Sequence, residues 1–339
     1  MVSPMTLESG SVTGGVGWCF SPASGRGGGA IPRKALRMPG LLPVLVLSVG
    51  LMSVSHAAIF IRVADADPIV IAAYRMAIAA LVVIPYAVAR ARPAFTALGG
   101  RQMGWLVVAG VLLAAHFATW IASLDLTSIA HSVVLVTLTP IWLVIFGIVL
   151  RRARPTVFAV VSACLAASGS AVMAFGGGGD GQTSLGGDAL ALLGGLCMAL
   201  YLLVGAHVRQ GLALLPFLAI VYGVAAATLW AAVLISGAPF AGFDLTTVAA
   251  LLALGLISQL LGHGAFNWAL ARFSPAFVAV LLLGEPILSA LFGVFYFAEV
   301  PGPVTLLGAG VILAGLALGV RAEIHAHAVS KTGGPGAGV

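Results

Sequence analysis

Apolar stretches of about 17 to 25 residues recur along this chain from Leu41 to Val320, the length a helix needs to cross about 30 Å of hydrocarbon. Helices and closed barrels are the two structures that can span a bilayer, because each satisfies its own backbone hydrogen bonds. A barrel strand would alternate polar and apolar positions over roughly ten residues, whereas these runs are apolar on both parities. The 339 residues are 61% hydrophobic and only 8% charged, with a mean hydropathy of +1.14. A soluble domain carries about 25% charged residues, so this inventory cannot build a water-facing surface. The sequence predicts an all-α polytopic membrane protein.

Other classes are disfavoured by where the polar residues fall. A net charge of +6 would suggest a nucleic-acid partner in a soluble protein, but here the bases sit in short loops beside apolar runs and read as topology signals. Cys19, Cys164 and Cys197 are isolated, so neither a disulfide framework nor a metal or redox CxxC site is indicated. P-loop, HExxH and GxSxG patterns are lacking, which speaks against a soluble-type enzyme or ATP hydrolysis within the chain. No cofactor is expected.

The spans fall at approximately 41–61, 68–89, 103–124, 129–150, 155–175, 188–207, 212–236, 246–270, 275–297 and 301–320. Residues 1–40, rich in Gly, Ser and Pro with Arg26, Arg33, Lys34 and Arg37, read as a disordered cytoplasmic tail, as do 321–339. Cytoplasmic loops hold an excess of Lys and Arg. With the N-terminus cytoplasmic, fourteen of the 16 bases fall inside, Arg62 falls outside and Arg75 lies within a span. One miscounted helix would scramble that partition. Ten spans with both termini cytoplasmic, in a cell (inner) membrane, is the consistent expectation.

An internal repeat divides the chain. Residues 124–155 align with 270–301 at an offset of 146, matching at Pro140 and Pro286, Phe146 and Phe292, Gly147 and Gly293 and seven further positions. An offset of 145 places Gly50-Leu51 over Gly195-Leu196. The halves are thus a first repeat at 41–175 and a second at 188–320, joined by an extracytoplasmic linker at 176–187. Five helices per repeat make the second half enter from the opposite side, and inverted repeats are a recurrent device of secondary transporters.

Asp67-Pro68 followed by Ala72-Ala73-Tyr74-Arg75, Ser128-Ile129-Ala130, and Glu285-Pro286-Ile287 with trailing Glu299 and Gly308 resemble the EamA-type transporters of the drug/metabolite transporter superfamily. The likeness covers roughly residues 41–320. It implies a ten-helix fold and the export of amino acids or other small metabolites, and specifies the substrate poorly. The halves have diverged, with Thr139-Pro140 against Glu285-Pro286, and Tyr222 near the place that Arg75 takes in helix two.

Ionisable groups inside a span cost about 2.5 to 3.5 kcal/mol on insertion scales and need a reason. Glu285, near the midplane of helix nine, is a candidate for proton coupling or for binding an amine. Its bland alternative is a protonated glue between helices. Arg75, with Tyr74 beside it and His56 at comparable depth, would take a carboxylate of the substrate bidentately, or else pair with Asp65 or Asp67. His116, Trp120 and Ser123 share one helix face, as do His263 and Asn267, and the two histidines, 147 apart, suggest equivalent positions. Tyr201, Trp120 and Trp268 would wall the cavity. Pro140 and Pro286 leave the carbonyls of Val136 and Leu282 unbonded and would act as hinges, or as passive kinks. Two histidines without a third ligand make a metal site a weak expectation. Gly308, Gly310, Gly315 and Gly319 offer a small-residue surface for close helix contact, including a homodimer.

The expectation is a secondary transporter that exports a small polar metabolite by alternating access, in exchange or coupled to protons, with the solute and membrane lipid as its partners and no nucleic acid. The rivals are a membrane enzyme or flippase acting on a lipid-linked substrate, and a non-transporting scaffold.

Overall fold

The computed structural model describes residues 41–127, 132, 135–149, 156–176, 184–297 and 302–332. The 1–40 tail and most of the 176–187 linker lie outside them. The described residues form helices α1 (Leu41–Val63, interrupted at His56), α2 (Pro68–Thr96), α3 (Gly100–Leu126), α4 (Thr139–Val149), α5 (Val157–Gly176), α6 (Leu185–Arg209), α7 (Leu214–Ser236), α8 (Leu245–Ala269), α9 (Pro275–Leu282 and Glu285–Phe297) and α10 (Pro303–Thr332). Eight are long and apolar enough to cross a membrane, and the shorter α4 and α5 adjoin undescribed residues. The last helix continues to Thr332, past the expected end of its span at 320.

The helices begin where the sequence supplies caps. Asp67 accepts from the Ile69 amide with Pro68 at the first helical position, Asp244 accepts from Thr247, and Ser274 accepts from Phe277 with Pro275 following. Gly237, at φ 70°, ends α7 in the left-handed conformation that costs glycine least. Large apolar side chains such as Leu81, Leu245 and Ile235 point outward, while Arg75, Tyr201, Tyr222, Gln259 and Asn267 are buried inside the bundle. That is the order expected where the surrounding solvent is hydrocarbon.

The packing follows the repeat. Exchanging the halves carries α1 to α6, α2 to α7 and so on. The observed partners α2 with α7, α4 with α9 and α5 with α10 map onto themselves, while α1 with α8 and α3 with α6 map onto each other. Glycines permit these close approaches. A Cβ on Gly169 of α5 would lie 2.7 Å from the Gly308 carbonyl and 2.7 Å from the Ile312 amide of α10, and one on Gly315 would lie 2.8 Å from the Ala166 amide. Both neighbours are backbone, so α5 and α10 must separate to admit even a methyl group. Gly169→Ala is expected to destabilise the bundle by about 1 to 3 kcal/mol, the range for overpacking a core. A thermal midpoint in detergent equal to that of the native chain would rule this out. Gly308, Gly315 and Gly319 thus serve an interface inside the chain, and Gly310 has open space beside it.

Candidate functional site

A turn lies ahead of each of the two mid-span prolines. Just ahead of α4 a turn at Thr137–Leu138 precedes Pro140, and in α9 a turn at Leu283–Gly284 separates the two segments ahead of Pro286. The Val136 carbonyl, which Pro140 cannot bond, takes the Thr139 hydroxyl at 2.9 Å. Glu285 stands at the start of the second segment of α9, at the break.

These breaks wall a cavity of about 60 Å³ between the halves. Its lining comes in pairs. Val136 and Leu282, Thr137 and Leu283, and Thr139 and Glu285 are each related by the 146-residue offset, and all six face the cavity. Val54 and Met198, on the equivalent helices α1 and α6, face it as well. The cavity therefore lies on the axis that relates the repeats. Its polar groups do not obey that symmetry: Glu285 opposes Thr139, and Arg75, His116, Trp120 and His263 complete the wall.

Arg75 is 1% exposed, and its guanidinium lies 4.0 Å over the Phe117 ring. Its Nε donates to Gln259 Oε1 at 2.8 Å, while Nη1 has no hydrogen-bond partner. Trp120 is in the same condition, with a buried Nε1 that donates to nothing. Its ring stacks on His116 at 6.0 Å, and His116 Nδ1 donates to the Gly194 carbonyl at 2.9 Å. A carbonyl only accepts, so Nδ1 carries the proton in neutral His116. Unpaired buried donors cost about 1 to 3 kcal/mol each and are rare in folded proteins. Both residues line the cavity, and the Glu285 carboxylate, whose charge interacts with that of Arg75, lines it with them.

Five of the ten expected binding residues are brought together there: Arg75, His116, Trp120, His263 and Glu285. The other five sit elsewhere. Tyr201 donates to Asn267, whose Nδ2 donates to Tyr222 Oη at 3.4 Å, so both are taken up in a packed network between α6, α7 and α8. Trp268 lies 3.8 Å beneath the Arg272 guanidinium. Tyr74 donates to the Phe240 carbonyl at 2.8 Å and ties down the segment between α7 and α8. His56 bonds back to the Met52 carbonyl and packs at a tilt against Phe292, ring centroids 3.9 Å apart, joining α1 to α9.

The contacts also correct the pairing of the histidines. Gly262 packs over the Gly50 carbonyl as His116 bonds that of Gly194, so Gly262 takes the place of His116, and His263 that of Phe117. Phe117 and His263 meet edge to face at 5.4 Å. Gly50 likewise pairs with Gly194 rather than Gly195, and Arg75 with Val221 rather than Tyr222. Gln259, the partner of Arg75, was missed by the sequence reading. An amide amid the apolar residues of α8 was the signal for it. Among the described residues, no group of three or more His, Cys, Asp or Glu is placed to hold a metal ion.

Comparison with known proteins agrees with this architecture. A solved crystal structure, 19% identical, superposes with a TM-score of 0.70 over 85% of this chain and 99% of its own, a likeness of fold. Among curated proteins none matches. Residues 41–175 and 185–321, the two halves expected from the repeat, each match the EamA-like transporter family. This membrane protein, built of two repeats around a cavity on their common axis, belongs to the EamA-like transporter family.

Proposed function

We propose that the chain is a secondary transporter that exports a small polar metabolite bearing an anionic group, an amino acid being the type, by alternating access. The observation that carries this reading is that Arg75 and Trp120, which line the cavity between the repeats, each hold a buried donor without a partner, Nη1 and Nε1. A carboxylate of the solute would accept from both and relieve the cost of leaving them unmade. Glu285 on the same wall would bind an amine of the solute or exchange a proton with it. The rest of the lining is largely apolar, from Val54, Ala57, Met198, Ala279, Leu282 and Leu283, which suits a compact solute.

The size of the cavity supports alternating access. Pockets for drug-sized ligands measure about 300 to 1,000 Å³. A space of about 60 Å³ holds a few waters, so a metabolite would need the repeats to part further. The turns before Pro140 and Pro286 are where α4 and α9 would flex, and a break related by symmetry in each half would open one side and then the other.

The test is release from proteoliposomes loaded with a mixed metabolite extract, read by mass spectrometry with and without an imposed pH gradient. Selective release of a few carboxylate-bearing solutes is the expected result. Unsaturable flux of ions would identify a channel instead, and no release under any gradient would overturn transport.

A further inference from the structure

Exchange of the halves carries the interface of α2 with α8 onto that of α7 with α3. A Cβ on Gly255 would meet Ile78 Cβ at 2.6 Å and the Arg75 carbonyl at 3.3 Å, and one on Gly110 would meet Val224 Cβ at 2.6 Å and the Val221 carbonyl at 3.0 Å. Ile78 and Val224 are 146 residues apart, as are Arg75 and Val221, but the two glycines are 145 apart. Further along α8 the interval becomes 146, because Ala265 meets Gly50 as Thr119 meets Gly194, and Gly262 matches His116. The second half thus holds one more residue than the first between Gly255 and Gly262. That stretch lies within Leu254–His263, which winds as a π-helix. Its wider turn absorbs the extra residue and leaves the contacts on both sides in register.

The widened turn carries Gln259, which is 0% exposed and accepts from Arg75 Nε. The corresponding positions of α3 are Leu113 and Ala114, and the counterpart of Arg75 is Val221. The cation and the amide that holds it therefore occur in one interface, and both are missing from its apolar twin. Gln259 is a poor choice for stability alone, since its Nε2 is buried without a partner. What it does is orient. The Phe117 ring covers the guanidinium, whose carbon lies 4.0 Å from the ring centroid, but supplies no directional bond to it. The bond from Nε to Gln259 gives the group a direction and leaves Nη1 unpaired in a residue that lines the cavity.

We propose that Gln259, turned inward by the one-residue π-helical insertion in α8, is the positioning residue that aims Arg75 at the solute and so sets the preference for solutes with an anionic group. This rests on the reading that Arg75 binds that group. Gln259 itself need not touch the solute.

The test uses the full chain in proteoliposomes, with the mixed metabolite extract as probe and the native protein compared with Gln259→Leu, Gln259→Asn and Arg75→Met. Leu removes the acceptor at nearly constant volume, and Asn keeps the amide but is one methylene too short to reach. Both are expected to raise KM for the transported acids about tenfold while kcat falls less than threefold, a split that mere loss of folded protein would not produce. Should the Leu variant fail to fold, the Asn variant carries the same expectation. If both variants keep the native KM for acids while Arg75→Met loses them, the assignment of Gln259 is overturned and the reading of Arg75 stands. If Arg75→Met handles acids as the native chain does, or the native chain releases nothing, that reading falls and the role of Gln259 falls with it.

Discussion

Arg75→Met is expected to lower kcat/KM for the transported solute by about 10- to 150-fold, because hydrogen bonds to a charged group contribute about 1.5 to 3 kcal/mol. The geometry makes the arginine specific. Its guanidinium is covered on one side by Phe117 and bonded at one nitrogen by Gln259, so it would meet a carboxylate with its direction already set. Lysine would keep the charge but neither the stack nor the bond to Gln259, and Arg75→Lys should therefore lose nearly as much as Arg75→Met. Concentration dependence of uptake in proteoliposomes measures both. Native kinetics in the lysine variant would reduce Arg75 to a source of positive potential, and native kinetics in the methionine variant would remove it from recognition altogether.

The second large effect belongs to Glu285. Its place on the cavity wall, at the start of the second α9 segment, would put a proton-binding group where the proposed alternation of access takes place. Glu285→Gln keeps the shape and can still hydrogen bond, but it cannot carry a proton across. Transport driven by a pH gradient should fall to the leak rate in this variant and its pH profile should flatten, while exchange down a solute gradient continues. Initial rates with the external pH stepped across the neutral range read this directly. A pH-dependent rate that survives the substitution would leave Glu285 as a hydrogen bond between helices.

The two residues lie on different helices and different repeats, but they face one cavity and their charges interact, so each single variant is compared with the double variant as well as with the native chain. Loss of binding in one variant and loss of coupling in the other would show that recognition and energy input rest on different residues, at positions whose symmetry mates, Val221 and Thr139, are uncharged. The polar departures between the halves are thus the most informative positions in the chain.

Much of this was legible before any coordinates. Hydrocarbon demands long apolar helices and excludes unpaired charge, so the spans, the isolation of Arg75 and Glu285, and the breaks at Pro140 and Pro286 are written directly in residue type. The repeat was legible for the same reason, since paired prolines and a shared Phe-Gly survive in otherwise interchangeable apolar sequence. Which face each polar residue takes was not. Tyr201 and Asn267 looked like lining and are bound to each other between α6 and α8, because hydrogen-bonding groups in a span can be satisfied by a neighbouring helix as well as by a solute. Nor did the sequence alone place Gln259 against Arg75. A single added residue rotates everything after it by about 100° in an α-helix, and only a π turn restores the phase. Among leucines and glycines such an insertion leaves no mark in composition or periodicity, so it became visible only where Gly110 and Gly255 pack against equivalent partners at unequal intervals. Sequence determined what the chain is made to sit in and where it bends; tertiary packing decided which of its few polar atoms are left over for a solute.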